Sequence, residues 1–323
     1  MSRSTMIQPL RDAGYSIEEQ VPLAELGTFH LGGPLRWLLR LSHSQDLLQV
    51  RQLCLEHDIP VFLFGEGSNI LFSDAGWPGL GIRFVQQDAV PREEAPGVWT
   101  ISAACSLQDV VAWAVAGGWA GLEAFTGIPG TVGGAVVGNA GAWGVQMEHV
   151  LTRVKGVNAE GQFQTCEVAD CNFSYRNSDL KHNGFWVSDI QVRLQAGDSA
   201  ALMQEHRRIL ALRASKHPDW QREPCIGSFF KNLEPSSAAE RRQAAGYFLE
   251  QVGAKTKSVG GAGVFADHAN ILIKRDAHCR AEDVAALARE LQQAVKSQFD
   301  IDLVREVRYL GEIQGEQSAT GFY

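Results

Sequence analysis

Residues 126–144, Thr126-Gly-Ile-Pro-Gly-Thr-Val-Gly-Gly-Ala-Val-Val-Gly-Asn-Ala-Gly-Ala-Trp-Gly144, hold seven glycines and no charged side chain. Glycine at that density costs chain entropy in any regular element, so this backbone is expected to lie against something flat or phosphorylated. The plainer alternative is a tightly packed glycine corner with no ligand. No Lys-Ser/Thr follows the glycines, which rules against a P-loop. A second run, Phe64-Gly-Glu-Gly-Ser-Asn-Ile-Leu-Phe72, follows the apolar residues 61–64 directly. Gly65 and Gly67 permit close backbone approach, and successive N–H groups with Ser68 and Asn69 can form an anion-binding nest for a pyrophosphate. Read alone, so short a motif has a strand-to-strand turn as its lesser alternative. It is no Rossmann fingerprint, because the third glycine is absent and Ile-Leu-Phe reads as strand. Together the two runs point to a ligand with a pyrophosphate and a planar ring system, a flavin dinucleotide.

The 323 residues are 45% hydrophobic and 20% charged, enough for two or three domains with sizeable cores. With 29 Lys+Arg against 37 Asp+Glu the formal net charge is −8, so no excess of cations is available to track a nucleic-acid backbone. Six scattered cysteines without a Cys-x-x-Cys pair read as buried thiols in a reducing compartment. The N-terminal residues lack an apolar core of signal-peptide type and no window resembles a spanning helix, so a cytoplasmic protein with no membrane partner is expected. No His or Cys spacing suggests a metal site.

Along the chain, residues 36–41 read as a strand, Ser44 caps a helix over 45–57, and residues 61–64 form a buried strand. Residues 98–194 are strand-rich, with strands over 99–103, 153–158, 163–168 and 186–194 and a helix capped by Ser106 that stops at Gly117-Gly118. Beyond Gly197 a helix over 199–215 leads to a third unit, with a strand at 270–274 and an amphipathic helix over 281–299. An alternating strand over 301–310 places Val304, Glu306, Arg308 and Leu310 on one face, and the tail 312–323 is polar. Taken alone, Glu306 is a strand carboxylate paired with Arg305 or Arg308, and Arg176 a loop guanidinium tying Asp179 or a backbone carbonyl.

Five segments in order, Gly65-Glu-Gly-Ser-Asn-Ile-Leu71, Gly127-Ile-Pro-Gly-Thr-Val-Gly-Gly134 with Asn139-Ala-Gly-Ala142, Ser174-Tyr-Arg-Asn-Ser178, Gly227-Ser-Phe-Phe-Lys-Asn232 and Arg305-Glu-Val-Arg-Tyr-Leu-Gly311, resemble the motif set of the UDP-N-acetylenolpyruvoylglucosamine reductase family. The resemblance covers roughly residues 20–311. It implies an α+β fold: a two-lobed FAD-binding region of the vanillyl-alcohol-oxidase (PCMH) type, then a C-terminal α+β substrate-binding domain. The expected division is residues 1–84, joined by about 301–323, for the first lobe, 85–197 for the second and 198–300 for the substrate domain. It also implies non-covalent FAD and reduction of UDP-N-acetylglucosamine enolpyruvate to UDP-N-acetylmuramate. NADPH is the implied hydride donor, using the substrate's cleft in turn because no second dinucleotide fingerprint exists. A monomer is compatible with this reading.

Carried over position by position, the FAD contacts fall on Gly65, Glu66, Gly67, Ser68, Asn69 and Ile70, and on Thr126, Gly127, Pro129, Gly130, Gly133, Gly134, Ala135, Asn139, Gly141 and Ala142. Ser228 resembles the family's proton donor, and Arg176 and Glu306 the pair that stabilises the enol(ate) intermediate or supports protonation. Lys216, Lys231, Asn232 and His268 fall on substrate contacts. The sequence departs from the family at Gly27, Leu233 and Lys255-Thr256, and no Tyr-Gly-Asp loop follows Leu194, which resembles the branch without that substrate-covering segment. An FAD-dependent oxidase on the same scaffold and a catalytically silent flavin- or nucleotide-binding protein are the competing readings. Neither glycine run carries a histidine for covalent flavin attachment, which counts against the first, and the joint presence of Arg176, Ser228 and Glu306 counts against the second.

Overall fold

The computed structural model describes residues 6–86, 90–234 and 242–316. After the short helix α1 (Gln8–Asp12), β1 (Ile17–Pro22), β2 (Pro34–Leu41), β3 (Val61–Phe64) and β5 (Trp77–Phe84) form a sheet in the order β1-β2-β5-β3, while β4 (Ile70–Phe72) lies outside it. Only β1 runs antiparallel to its neighbour. The parallel β2, β5 and β3 carry near-continuous apolar side chains because both faces are covered. Leu35, Leu38, Phe62 and Phe64 pack with Phe72 and Leu310 on one side, and Trp37, Leu39 and Leu63 join the main core on the other. Helix α2 (Ser44–Glu56) fills that second side with Leu47, Val50 and Cys54. Its N-cap is His43, so the expected cap Ser44 is already the first helical residue and no side chain caps this end.

The main core continues into a five-stranded antiparallel sheet, order β12-β11-β13-β7-β6, built from β6 (Arg92–Ala95), β7 (Val98–Ser102), β11 (Leu151–Val157), β12 (Phe163–Glu167) and β13 (Trp186–Arg193). Helix α3 (Leu107–Ala116) starts at Ser106, whose hydroxyl accepts the Asp109 N–H as expected, and its C-cap is Gly117. A ribbon of β8 (Trp119–Ala120) with β14 (Gln195–Ala196) closes one end. The glycine-rich run itself becomes helix α4 (Val132–Val137), capped by Thr131, and the hairpin β9 (Gly141–Ala142) with β10 (Val145–Gln146).

Helix α5 (Ser199–Ala214) leads into a third sheet, order β15-β18-β17-β16, made of β15 (Cys225–Ser228), β16 (Ser258–Val259), β17 (Ala262–Phe265) and β18 (His268–Lys274). It packs with α6 (Ala245–Gln251) and α7 (Ala281–Phe299), and Val284, Leu287, Ala288, Leu291 and Val295 of α7 lie in a core separate from the main one. The chain ends as β19 (Arg308–Leu310), which runs parallel to β4 in the register Arg308 to Ile70. Part of the tail expected to be polar, residues 317–323, lies outside the described residues, as do residues 1–5.

The strand expected over 301–310 is confined to its last three residues. Residues 303–307 instead lie against residues 229–231: Glu306 donates its N–H to the Phe229 carbonyl (2.9 Å) and Lys231 donates to the Val304 carbonyl (2.8 Å). Leu303, Val307 and Tyr309 are buried while Val304 is 60% exposed, so the face expected to hold Val304 and Glu306 is not the one this segment buries.

Asn270, on β18, anchors the other side of this junction. It is 3% exposed, accepts the Phe230 N–H (2.9 Å) and donates to the Phe230 carbonyl (2.8 Å) through its side chain, and accepts the Phe229 N–H at its own carbonyl (2.8 Å). Asn270→Ala strands both main-chain groups of a buried residue, each worth about 1–3 kcal/mol, so unfolding stability should fall by roughly 2–4 kcal/mol. Urea denaturation reads this as a lower midpoint at unchanged slope; an unmoved midpoint would show that these bonds contribute nothing.

Candidate active site

The two glycine runs, sixty residues apart in sequence, lie against each other. Gly130 donates its N–H to the Glu66 carboxylate (3.0 Å), and the Ser68 hydroxyl donates to the Pro129 carbonyl (3.2 Å). Burial pushes the Glu66 carboxyl up, opposed by the Gly130 N–H and by Arg83. At Gly65 the approach is so close that a Cβ would stand 2.3 Å from Thr131 Oγ1, the atom that accepts the Gly134 N–H at the start of α4. Asn69 accepts the Arg308 N–H (3.1 Å), which joins the first run and Ile70 to β19. In the second run, Thr126 is fully buried with its hydroxyl against His206 Nδ1 (3.0 Å), Gly127 donates to the Gln108 side chain, and Gly133 donates to the Ala103 carbonyl (2.8 Å).

Gly134 differs from these packed glycines. A Cβ there would meet only Thr131 Oγ1, at 3.5 Å, so no protein atom demands a glycine. A bare, exposed backbone facing open space lets a flat ligand approach closely.

Arg176 is carried on a two-residue turn closed by Ser174 N–H to Asn177 O (3.0 Å) and Asn177 N–H to Ser174 O (3.1 Å). Its φ of +56° is left-handed, a conformation that costs a non-glycine residue about 1–3 kcal/mol and persists where the surroundings impose it. Three ties to the glycine-rich run do so. Asn139, fully buried, donates to the Ser174 carbonyl (2.9 Å); the Ser178 hydroxyl donates to the Val137 carbonyl (2.8 Å); and Arg176 Nη2 donates to the Gly141 carbonyl (2.6 Å) beside Ala142. Arg176 Nε then reaches Glu306 Oε1 at 3.0 Å. The guanidinium thus does tie a backbone carbonyl, but its carboxylate partner is Glu306 rather than Asp179.

Burial raises the Glu306 carboxyl pKa despite the opposing pull of Arg176, Lys181 and Lys231. Burial likewise lowers the Lys231 ammonium, against the attraction of Glu306. Arg308 is held down to about 10 by burial. Ser228 ends β15 where a register shift against β18 interrupts the ladder, with Gly227 at φ +75°.

Asn232 is exposed; its N–H donates to the Tyr175 hydroxyl (3.4 Å) and its side chain accepts the Ala245 N–H (3.1 Å). Lys216 and His268 belong to a second group, in which the His217 and His268 rings lie 5.4 Å apart and His217 is pushed down to about 4 by burial, Arg213, His268 and Lys216. Lys181, Arg308, Asn270 and Asn139's tie to the Arg176 turn were not legible as a set. Lys181 stands just past the Ser174–Ser178 motif, and its position relative to Glu306 has no signal in spacing.

A family model described as "FAD binding domain" matches residues 36–167, and one described as "UDP-N-acetylenolpyruvoylglucosamine reductase, C-terminal domain" matches residues 218–310. The UDP-N-acetylenolpyruvoylglucosamine reductase of Synechococcus sp. (strain JA-3-3Ab) is 36% identical over 91% of each chain. That of Clostridium perfringens (strain 13 / Type A) is 31% identical over 90% of this chain and 91% of its own. The crystal structure of the Thermus caldophilus enzyme of that name superposes with a TM-score of 0.76 at 26% identity, covering 92% of this chain and all of the other.

The open face at Gly134 makes FAD retention testable apart from folding. Gly134→Ala should leave apoprotein stability unchanged or raise it by up to about 1 kcal/mol, the helix preference for Ala over Gly. Gly134→Val should keep the apoprotein folded but lose FAD on gel filtration. Gly65→Ala, by contrast, should lower thermal stability even without FAD. Normal flavin occupancy in Gly134→Val would show that the cradle holds something else.

Proposed function

The chain belongs to the UDP-N-acetylenolpyruvoylglucosamine reductase family, and on that premise we propose that it reduces UDP-N-acetylglucosamine enolpyruvate to UDP-N-acetylmuramate with FAD and NADPH, for peptidoglycan precursor synthesis in the cytoplasm. The six cysteines, all buried free thiols, fit a reducing compartment. Among the described residues no helix is long and apolar enough to cross a membrane. The observation that carries the reading is the charge of the site. Arg176, Lys181 and Lys231 face the carboxylate of Glu306, Arg308 faces Lys181, and Arg242 and Glu234 both face Lys231, in a chain whose formal net charge is −8. Half-buried cations in surplus call for an anionic ligand, and an enolpyruvyl carboxylate meets that need.

When bound, FAD supplies the hydride chemistry, and Gly65–Ile70 with the run from Thr126 to Ala142 would hold it. The chain's own residues supply the rest. Negative charge grows on the carboxylate side of the substrate as its terminal carbon is reduced. Arg176, fixed between Gly141 and Glu306, offers a preorganised cation there, so it stabilises the transition state more than the ground state. The carbon beside the carboxylate then takes a proton. Ser228 is a weak acid in water, but an enolate is a strong base that can take its proton, and Ser228 stands at the irregular end of β15. Glu306, whose carboxyl keeps its proton to higher pH than an ordinary glutamate, orients Arg176 and stands as the reserve acid. Lys216 and His268 suit contacts to the nucleotide end of the substrate.

Anaerobic stopped-flow spectroscopy tests the reading. The purified protein should be yellow, bleach with NADPH and recover its colour with the enolpyruvyl UDP-sugar; a reduced protein that this sugar does not reoxidise would remove it. Ser228→Ala should still bleach with NADPH but recover about 10²–10⁴-fold more slowly, the range typical of a lost general acid. Recovery at the wild-type rate would move the proton to Glu306 or to an ordered water.

A further inference from the structure

Lys181 ends the short 3-10 turn Asp179–Lys181, directly after the buried Ser178 that anchors this segment to α4. Its Nζ donates to the main-chain carbonyl of Arg176 at 3.4 Å. That carbonyl belongs to the residue held at φ +56°, and the Arg176 side chain in turn bonds Gly141 and Glu306. A charged donor on the carbonyl of a strained residue fixes the peptide plane and offsets part of the strain. The ammonium is half-buried and faces Glu306, Lys231 and Arg308, with His182 next to it in the chain.

We propose that Lys181 is a positioning residue for the reduction: it holds the Arg176 turn in its left-handed conformation and adds positive charge to the side of the site that receives the substrate carboxylate. The proposal rests on the reductase reading above and goes beyond the serine, arginine and glutamate roles already assigned. Its ammonium is also poised to titrate within the working range. Burial, then Arg308 and Lys231, bring its pKa down to about 8 against the opposing pull of Glu306. As pH rises through that value the free enzyme loses a cation from the site, so kcat/KM for the enolpyruvyl sugar, which reports free-enzyme groups, should fall above about pH 8.

Two variants test this. Lys181→Met keeps length and removes charge and donor; Lys181→Arg keeps a charge that does not titrate in this range. In Lys181→Met, FAD content and flavin bleaching by NADPH should stay near wild type. Reoxidation by the enolpyruvyl sugar should slow on the order of tenfold to a hundredfold, the scale of a misplaced catalytic group. The limb near pH 8 should vanish with the ammonium. Lys181→Arg should recover much of the rate and carry the falling limb to higher pH. A Lys181→Met enzyme with the wild-type rate and limb overturns the proposal, and so does an equal loss in both half-reactions, which marks a purely structural lysine. If Lys181→Met fails to retain FAD, the arginine variant decides: a limb still near pH 8 overturns the proposal and a limb moved upward supports it. Failure of the reductase reading itself looks different, because the wild-type protein would then not be reoxidised by this sugar at any pH.

Discussion

The ion pair between Arg176 and Glu306 joins parts of the chain that lie 130 residues apart in sequence. Arg176 is strapped to the glycine-rich run through Gly141, Asn139 and Val137, and Glu306 hangs its backbone on Phe229, next to Ser228. One 3.0 Å contact thus links the backbone that would cradle the flavin to the hydroxyl that would deliver the proton. Removing one member of a half-buried pair leaves an uncompensated charge, which is why such pairs are more informative about position than about stability. The flavin-side and substrate-side groups are held in register by it, and small displacements at that distance from reacting atoms cost large factors in rate.

Around this pair the charge balance runs opposite to that of the molecule. The chain is net acidic, yet Glu306 faces Arg176, Lys181 and Lys231, with Arg308 facing Lys181 in turn. The energetic cost of burying those cations is visible in the directions of their shifts, since burial is the largest cause at Lys181, Lys231 and Arg308. A ligand that brings its own negative charge relieves that cost on binding, and a reaction that builds up negative charge relieves it further in the transition state.

The fold class and most elements were legible because their signals are local. The strands over 34–41, 61–64 and 186–193 and the helices from Ser106 and to Phe299 follow from runs, periodicity and caps within a few residues. The failure at 301–307 is equally physical. Alternation along that segment resembles a strand, but its Glu306 N–H and Val304 carbonyl are bonded to Phe229 and Lys231 rather than within a ladder, and only Arg308–Leu310 finds a partner strand in β4. Ser44 was misplaced by a single residue because a cap differs from a first helical position only in backbone angles, not in composition.

By itself the sequence marked two glycine runs as the candidate cradle of a phosphorylated, planar ligand and, through the family resemblance, Ser174–Ser178, Gly227–Asn232 and Arg305–Gly311 as the candidate site segments. Only the tertiary structure decided who faces whom: that Arg176 pairs with Glu306 instead of Asp179, that Gly134 is open while Gly65 is filled by Thr131, and that Lys181 closes on the Arg176 carbonyl. The reason is range. Glycine, caps and apolar periodicity act over one or two turns of chain, whereas the field and contacts at Glu306 are set by residues up to 130 positions away in sequence.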